Sequence, residues 1–331
     1  MALPLLQTKL YTPPLRPQLV QRDHLLARLH GRARHSLTLV SAPAGFGKTT
    51  LVSAWASQAE HPVAWLSLGD DDNDPLHYFT YLIAALQTRH ANLGETVLTM
   101  IAASQPPPLN ALLTLLLNEL SALPTPLTVV LDDYHLITAQ PLHEAMTFFI
   151  NHLPPHLHLV ITTRIDPPLP LARWRARNQL VEIRADELRF LPAEATSFLN
   201  DVMGLRLTAA QIATLETRTG GWIAGLQLAA LSLQGRDDIA GFLQAFSGSH
   251  RHVLSYLVEE VLNRCPEDTL DFLLQTAILN RFSAPLCAAV TGRSDSQQRL
   301  EQIEQANLFL IPLDEAPTWY RYHHLFADVL R

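Results

Sequence analysis

Residues 41–50 read SAPAGFGKTT. The apolar run SLTLVSA (36–42) stands directly before the turn, and a helical pattern runs on from Lys48 to about Gln58. A buried strand, a glycine-bearing turn and a helix start form a frame in which backbone N–H groups and a helix N-terminus can surround a phosphate. The frame fits G-x-x-x-x-G-K-[ST] except at its first position, which is Ala42. Alanine keeps its amide and is tolerable there if its φ stays negative. Pro43 has no N–H and can only shape the loop. Gly45 and Gly47 supply the flexible positions. Lys48 is expected to reach the β- and γ-phosphates, and Thr49 to ligate Mg²⁺ through its hydroxyl. Ala44, Gly45, Phe46, Gly47, Lys48, Thr49 and Thr50 are therefore candidate residues around an ATP or ADP with Mg²⁺.

Working outward, four more apolar runs alternate with helical patterns. PVAWLSL (62–68), LTVVLDD (127–133), LHLVITTR (157–164) and QLVEI (179–183) read as strands. Helices are expected over about 75–89, 109–123 and 139–152. Near-continuous Val/Ile/Leu strands separated by helices specify an α/β fold, a P-loop parallel sheet covered on both faces. In the ATPase class with an extra strand between the loop strand and the acidic strand, the order is 5-1-4-3-2. After about Asp186 the strand pattern stops, and helical patterns run to about residue 306. NLFLIPL, a turn at DEAPT and WYRYHHLFADVLR then read as a hairpin followed by a helix, the wing of a winged-helix fold. The expected domains are 1–185 (P-loop), 186–250 (all-α helical) and 251–331 (winged helix).

Three further stretches bear on phosphate chemistry. LTVVLDD ends in two carboxylates: Asp132 is the candidate to orient Mg²⁺ and its waters, and Asp133 the candidate general base. Arg164 lies just past another strand tip, where it either senses the γ-phosphate, with or without Thr163, or is a plain surface arginine. DDDNDP (70–75) reads as a solvated loop capping a helix that starts at Pro75.

Composition sets the outer bounds. Of 331 residues, 48% are hydrophobic and 17% charged, enough to bury cores in two or three domains. A net charge of −7 argues against a general nucleic-acid binder. Cys265 and Cys287 lack metal-type spacing and read as thiols in a reducing cytosol. No signal peptide or membrane span is apparent; LNALLTLLLNELSALP, broken by Asn118 and Glu119, reads as a core helix. A soluble, cytoplasmic protein without membrane partners is expected. HEAMT (143–147) lacks the second histidine of a zinc-protease helix, and no GxSxG occurs.

Taken together, APAGFGKTTL, AWLSLGDDDNDP, VVLDDYHLI, LVITTR, LRFLPAEATSFL, GGWIAGLQLAAL, SYLVEEVL, NLFLIPLD and YRYHHLFADVLR resemble the ATPase core of MalT-like regulators. These are the large LuxR-type transcriptional activators of the STAND class of signal-transduction ATPases. The resemblance covers about Lys9 to Arg331. It implies an ADP-bound closed state, exchange to ATP with an inducer, self-association of the ATP form, and slow hydrolysis that resets the switch. It also implies that His323, with His324 as competitor, reaches the β-phosphate of ADP. Ile223, in Gly221-Trp222-Ile223, stands where related proteins carry a proline packed on adenine. Arg22 lies in the segment that borders adenine.

The resemblance implies a helical-repeat sensor and a DNA-binding helix-turn-helix that are expected to lie outside these 331 residues, and inducers are expected to act through such further regions. Residues 251–331 hold seven Arg, no Lys and eleven Asp or Glu, the wrong sign for phosphate neutralisation. The winged helix is thus expected to be a nucleotide-gated lid with no direct DNA binding. Two other readings stand beside the weak regulatory ATPase. One is a turnover P-loop ATPase or kinase-like enzyme, for which LARWRARN (171–178) is the sole candidate lid and reads as a surface helix. The other is a binding scaffold with dead chemistry, which the intact Lys48, Thr49, Asp132 and Asp133 oppose.

Overall fold

A computed structural model describes residues 5–30, 36–236, 238–314 and 318–331. The described residues divide into two compact units. Of these residues, the first unit gathers 5–16, 22–30, 36–41 and 48–187; the second gathers 17–21, 42–47, 188–236, 238–314 and 318–331.

The first unit is built on five parallel strands: β1 (Leu37–Ser41), β2 (Val63–Ser67), β3 (Leu127–Asp132), β4 (Leu157–Thr163) and β5 (Leu180–Arg184). Their order is β2-β3-β4-β1-β5, the predicted order read from the opposite edge. Every residue of β1, β3 and β4 is buried, as central parallel strands with helices on both faces must be. Edge strand β5 is only partly buried, which explains why polar Glu182 and Arg184 are accommodated there. Helix Leu109–Ser121 turns Leu112, Leu113, Leu116, Leu117 and Leu120 into the core, an i, i+3, i+4 stripe. Among the described residues no helix is long and apolar enough to cross a membrane.

Two helices of this unit were not foreseen, Asp23–His30 and Glu95–Ile101. The second begins behind Gly94, its N-cap, which takes the left-handed φ of 76°. The acidic turn also departs from expectation. Asp74 does cap helix Pro75–Gln87 by accepting from His77 N–H at 2.8 Å. Asp72, however, is fully buried, and it accepts from Lys9 Nζ and from Gly69 N–H, both at 2.7 Å. A carboxylate removed from water needs such partners, and the N-terminal segment provides the cation.

In the second unit, helices Ala209–Thr219, Ile223–Leu233, Arg251–Glu260, Glu267–Thr276, Ala284–Thr291 and Ser296–Gln305 match the helical patterns. Ile239–Ala245 is an addition, and Pro192–Thr196 runs on into a π-helical turn at Ser197–Val202. Strands β6 (Leu310–Pro312) and β7 (Tyr320–Tyr322) pair antiparallel, and helix His324–Leu330 follows. The expected DEAPT turn lies partly outside the described residues. Asp314 at its start accepts from the Thr318 and Trp319 amides. Both cysteines are free thiols, and burial pushes Cys287 up to about 11.

Candidate nucleotide site

In the first unit, helix Lys48–Ser57 begins one residue past the loop, and its first side chain points inward: Lys48 is only 6% exposed. Burial brings its ammonium down to about 8. Asp133 and Asp132 favour its charge, and Arg164 opposes it. Thr49 Oγ1 donates to Asp132 Oδ1 at 3.0 Å. Asp132, the last residue of β3, is buried and raised to about 6, first by desolvation and then by the Asp133 charge; the two threonine hydroxyls and Lys48 counter this.

Thr162 is the residue of this cluster that sequence reasoning missed. Its hydroxyl donates to Asp132 Oδ1 at 2.5 Å and accepts the Asp133 N–H at 3.0 Å. Asp133 sits in the left-handed region, φ 58° and ψ 43°, so the chain turns sharply as it leaves β3. Its carboxylate is 40% exposed and lies 3.7 Å from His135 Nδ1. Arg164 follows the end of β4 and is close enough to Lys48 to disfavour its charge. Thr163, by contrast, donates its hydroxyl to Ile165 O. Arg22 is buried and donates to Glu187 O at 3.3 Å.

Oxygen donors aimed at one point suit Mg²⁺, which takes one or two carboxylates and completes its shell with phosphate oxygens and water. Thr49 Oγ1 and the Asp132 carboxylate form such a donor set. Among the described residues no cluster of three or more His, Cys, Asp or Glu is arranged to hold a metal alone.

The loop itself, Ala42–Gly47, belongs to the second unit. Gly45 and Gly47 have φ of 78° and 75°, while Ala42 is not among the residues of positive φ, as its substitution for glycine requires. Trp222 Nε1 donates to Ala44 O at 3.0 Å, and Ala224 N–H donates to Gly45 O at 3.0 Å. Among the described residues every peptide bond is trans, so each carbonyl of the loop points opposite to the N–H of the following residue. Engaging these carbonyls therefore turns the Gly45 and Phe46 amides away from helix Ile223–Leu233. A Cβ on Gly45 would come within 2.5 Å of Ala224 Cβ and 2.8 Å of Trp222 Nε1. Gly45 is thus demanded by close packing as well as by its φ. Ile223, first residue of its helix, lies against Gly47, where an added Cβ would meet its Cδ1 at 3.0 Å. Phe46 is buried with its ring 6.2 Å from Phe309, whereas Thr50, in the first unit, is exposed.

His323 is buried at the N-terminus of helix His324–Leu330. Its Nε2 lies 2.7 Å from Thr219 O, an acceptor, so Nε2 carries the proton and Nδ1 is a bare buried lone pair. Burial is the main reason its pKa drops to about 4; the Thr219 bond opposes the shift, and Arg189, His324 and Arg321 add to it. His324 is exposed, with Nε2 3.3 Å from Arg321 Nη1. Trp222 packs on His323, Phe309 and Tyr256 at centroid distances of 6.1, 5.3 and 5.7 Å.

Comparisons with known proteins agree with this architecture. Residues 18–162 match an AAA ATPase domain, and residues 258–331 match the MalT winged helix domain. The chain is 40% identical over 329 residues to the HTH-type transcriptional regulator MalT of Cronobacter sakazakii, covering 99% of this chain and 36% of that protein. It is 38% identical over 332 residues to MalT of Yersinia enterocolitica, again covering 99% and 36%. The chain thus spans about a third of the length of these curated relatives. A Walker-type ATPase of Pyrococcus abyssi shares the fold at a TM-score of 0.65 and 15% identity, with 96% of this chain and 97% of that one covered. With an AAA ATPase domain match, a MalT winged helix domain match and similarity along almost its whole length, the chain is similar to about a third of the length of the MalT regulators and shares the fold of a Walker-type ATPase.

Proposed function

We propose that this chain is the ATP/ADP-operated switch module of a MalT-like transcriptional regulator, with slow hydrolysis resetting an ADP-closed state. The observation that carries this reading is the cluster of buried Lys48 and Asp132 with half-buried Thr49, a cation beside a hydroxyl–carboxylate pair 3.0 Å apart. Lys48 binds the β- and γ-phosphates, whose charge keeps its ammonium protonated. Thr49 and Asp132 hold Mg²⁺, which when bound offsets phosphate charge and orders water. Asp133 accepts a proton from the attacking water, and Arg164 reads the γ-phosphate. The amides of Gly45 and Phe46, turned by Trp222 and Ala224, line the phosphate side of the loop.

His323 supplies the ADP arm of the switch. Its one N–H is committed to Thr219 O, so contact with a phosphate oxygen requires a proton on Nδ1 or release of Thr219. A nearby phosphate favours the first route, because an anion raises the pKa of an imidazole. Moving a population from 1:99 to 99:1 takes roughly 5.5 kcal/mol of differential binding, which several such contacts share. Self-association of the ATP form, control by an inducer through further regions, and regulation of transcription complete the proposal. The winged helix acts as a lid; its acidic balance does not suit DNA.

The test is to denature the purified chain and quantify the released nucleotide by ion exchange. About one ADP per chain is expected. A chain that is empty and takes up no added ADP overturns the reading.

A further inference from the structure

The acidic turn after β2 reaches the candidate site through one amide side chain. β2 pairs with β3 so that Ser67 stands beside Asp132, and Leu68 N–H donates to Asp132 O at 3.0 Å. The turn Asp70–Asn73 therefore starts next to the end of β3, and it is firmly anchored. Buried Asp72 is tied to Gly69 and Lys9, and Asp74 caps the following helix.

Asn73 uses the whole capacity of its carboxamide. Nδ2 donates to Asp70 O at 3.0 Å and to Leu136 O at 2.9 Å. Oδ1 accepts from Thr138 N–H at 2.7 Å, Ala139 N–H at 3.0 Å and Thr138 Oγ1 at 3.3 Å. The Asp70 bond fixes the amide to its own turn, and the others cross to residues 136–139. No carboxylate could replace it, since Asp accepts but does not donate.

Residues 133–139 are the segment that leaves β3. They begin with Asp133 in the left-handed region, a conformation uncommon for a residue other than glycine. Such a conformation persists only where its surroundings over-determine it. Thr162 holds the first end through the Asp133 N–H, and Asn73 holds the last. Between them lies a single 3-10 turn, Tyr134–Leu136, with Tyr134 and Ile137 buried. We propose that Asn73 is a positioning residue that braces the 133–139 segment and so fixes the Asp133 carboxylate for its role with the attacking water. This deepens, and rests on, the hydrolytic reading above.

The test compares the full chain with N73A and N73D; N73D keeps the accepting half of the brace and carries the test if N73A fails to fold. Hydrogen exchange is followed by mass spectrometry on overlapping peptides, together with Mg-ATP affinity and turnover. Exchange through 133–139, Asp133 included, should rise at least tenfold, with helix Lys48–Ser57 unchanged. Turnover should fall at least tenfold while Kd stays within threefold. In a D133N background, N73A should lower turnover by less than a further twofold. Faster exchange confined to Thr138 and Ala139, full turnover in N73A, or an additive loss in D133N would each overturn the proposal. A wild-type chain without turnover removes the hydrolytic reading, while the exchange data still decide whether Asn73 braces Asp133.

Discussion

Replacing Trp222 by Phe tests whether the indole N–H sets the loop. Trp222 is fully buried, and its Nε1 is the donor to Ala44 O. Phe keeps an aromatic face toward Phe309 and Tyr256 but leaves that carbonyl without this donor. An unsatisfied buried acceptor costs about 1–3 kcal/mol. Full truncation of a buried Trp costs about 3–5 kcal/mol, so the smaller volume lost in Phe adds part of that. The combined loss is about 2–4 kcal/mol, which for a unit of this size lowers Tm by roughly 5–15 °C. The loop should also lose the constraint on its Gly45 and Phe46 amides. Forfeiting one hydrogen bond to a charged phosphate is worth about 1.5–3 kcal/mol, or roughly ten- to a hundredfold in Kd. Thermal unfolding followed by circular dichroism and a calorimetric titration with ADP measure both. A W222F chain that melts within 2 °C of wild type (about 1 kcal/mol or less) and binds ADP with unchanged affinity would refute the reasoning.

Thr162→Val removes the hydroxyl that bridges Asp132 and the Asp133 amide. It should cost about 1–3 kcal/mol in denaturant unfolding and lower turnover more than it lowers affinity. For His323 the folded pKa, about 4, lies below its ordinary 6.5, so the unfolded chain takes up the proton first as pH falls. Its contribution is therefore complete above about pH 6.5, declines between there and about pH 4, and amounts to about 3 kcal/mol in all. His323→Gln should flatten that step in stability measured from pH 7.5 to 4. Asp132, raised to about 6, acts in the opposite sense over the same window, and Glu182, held down to about 2 by Arg175 and Arg184, begins to lose its contribution below about pH 4.5, so the His323 step is read from the difference between the wild-type and variant curves, in which both cancel.

The sheet was legible because its central strands carry a distinct pattern. β1, β3 and β4 are buried on both faces and so read as unbroken apolar runs. The loop was legible because the lysine and threonine that follow it stand at a fixed spacing behind a strand. What escaped the sequence depends on long-range partners. The run of aspartates looked solvated because nothing near it announces Lys9, the cation that meets Asp72. Thr162 and Thr163 are alike in sequence; which one faces Asp132 follows from the period-2 alternation of β4 and the register with its neighbours. Trp222 lies 178 residues from the carbonyl it serves, and no local pattern encodes that bond. The short helices Asp23–His30, Glu95–Ile101 and Ile239–Ala245 span too few turns for an apolar period to stand out.

The central claim is that this chain holds a nucleotide through the loop that ends at Lys48. Isothermal titration of ADP into the wild-type and K48A chains, each first stripped of bound nucleotide, tests it most directly. The account predicts one site per chain in the wild type and no measurable binding in K48A at the same concentrations. Equal binding by both chains, or none by the wild type, would contradict it.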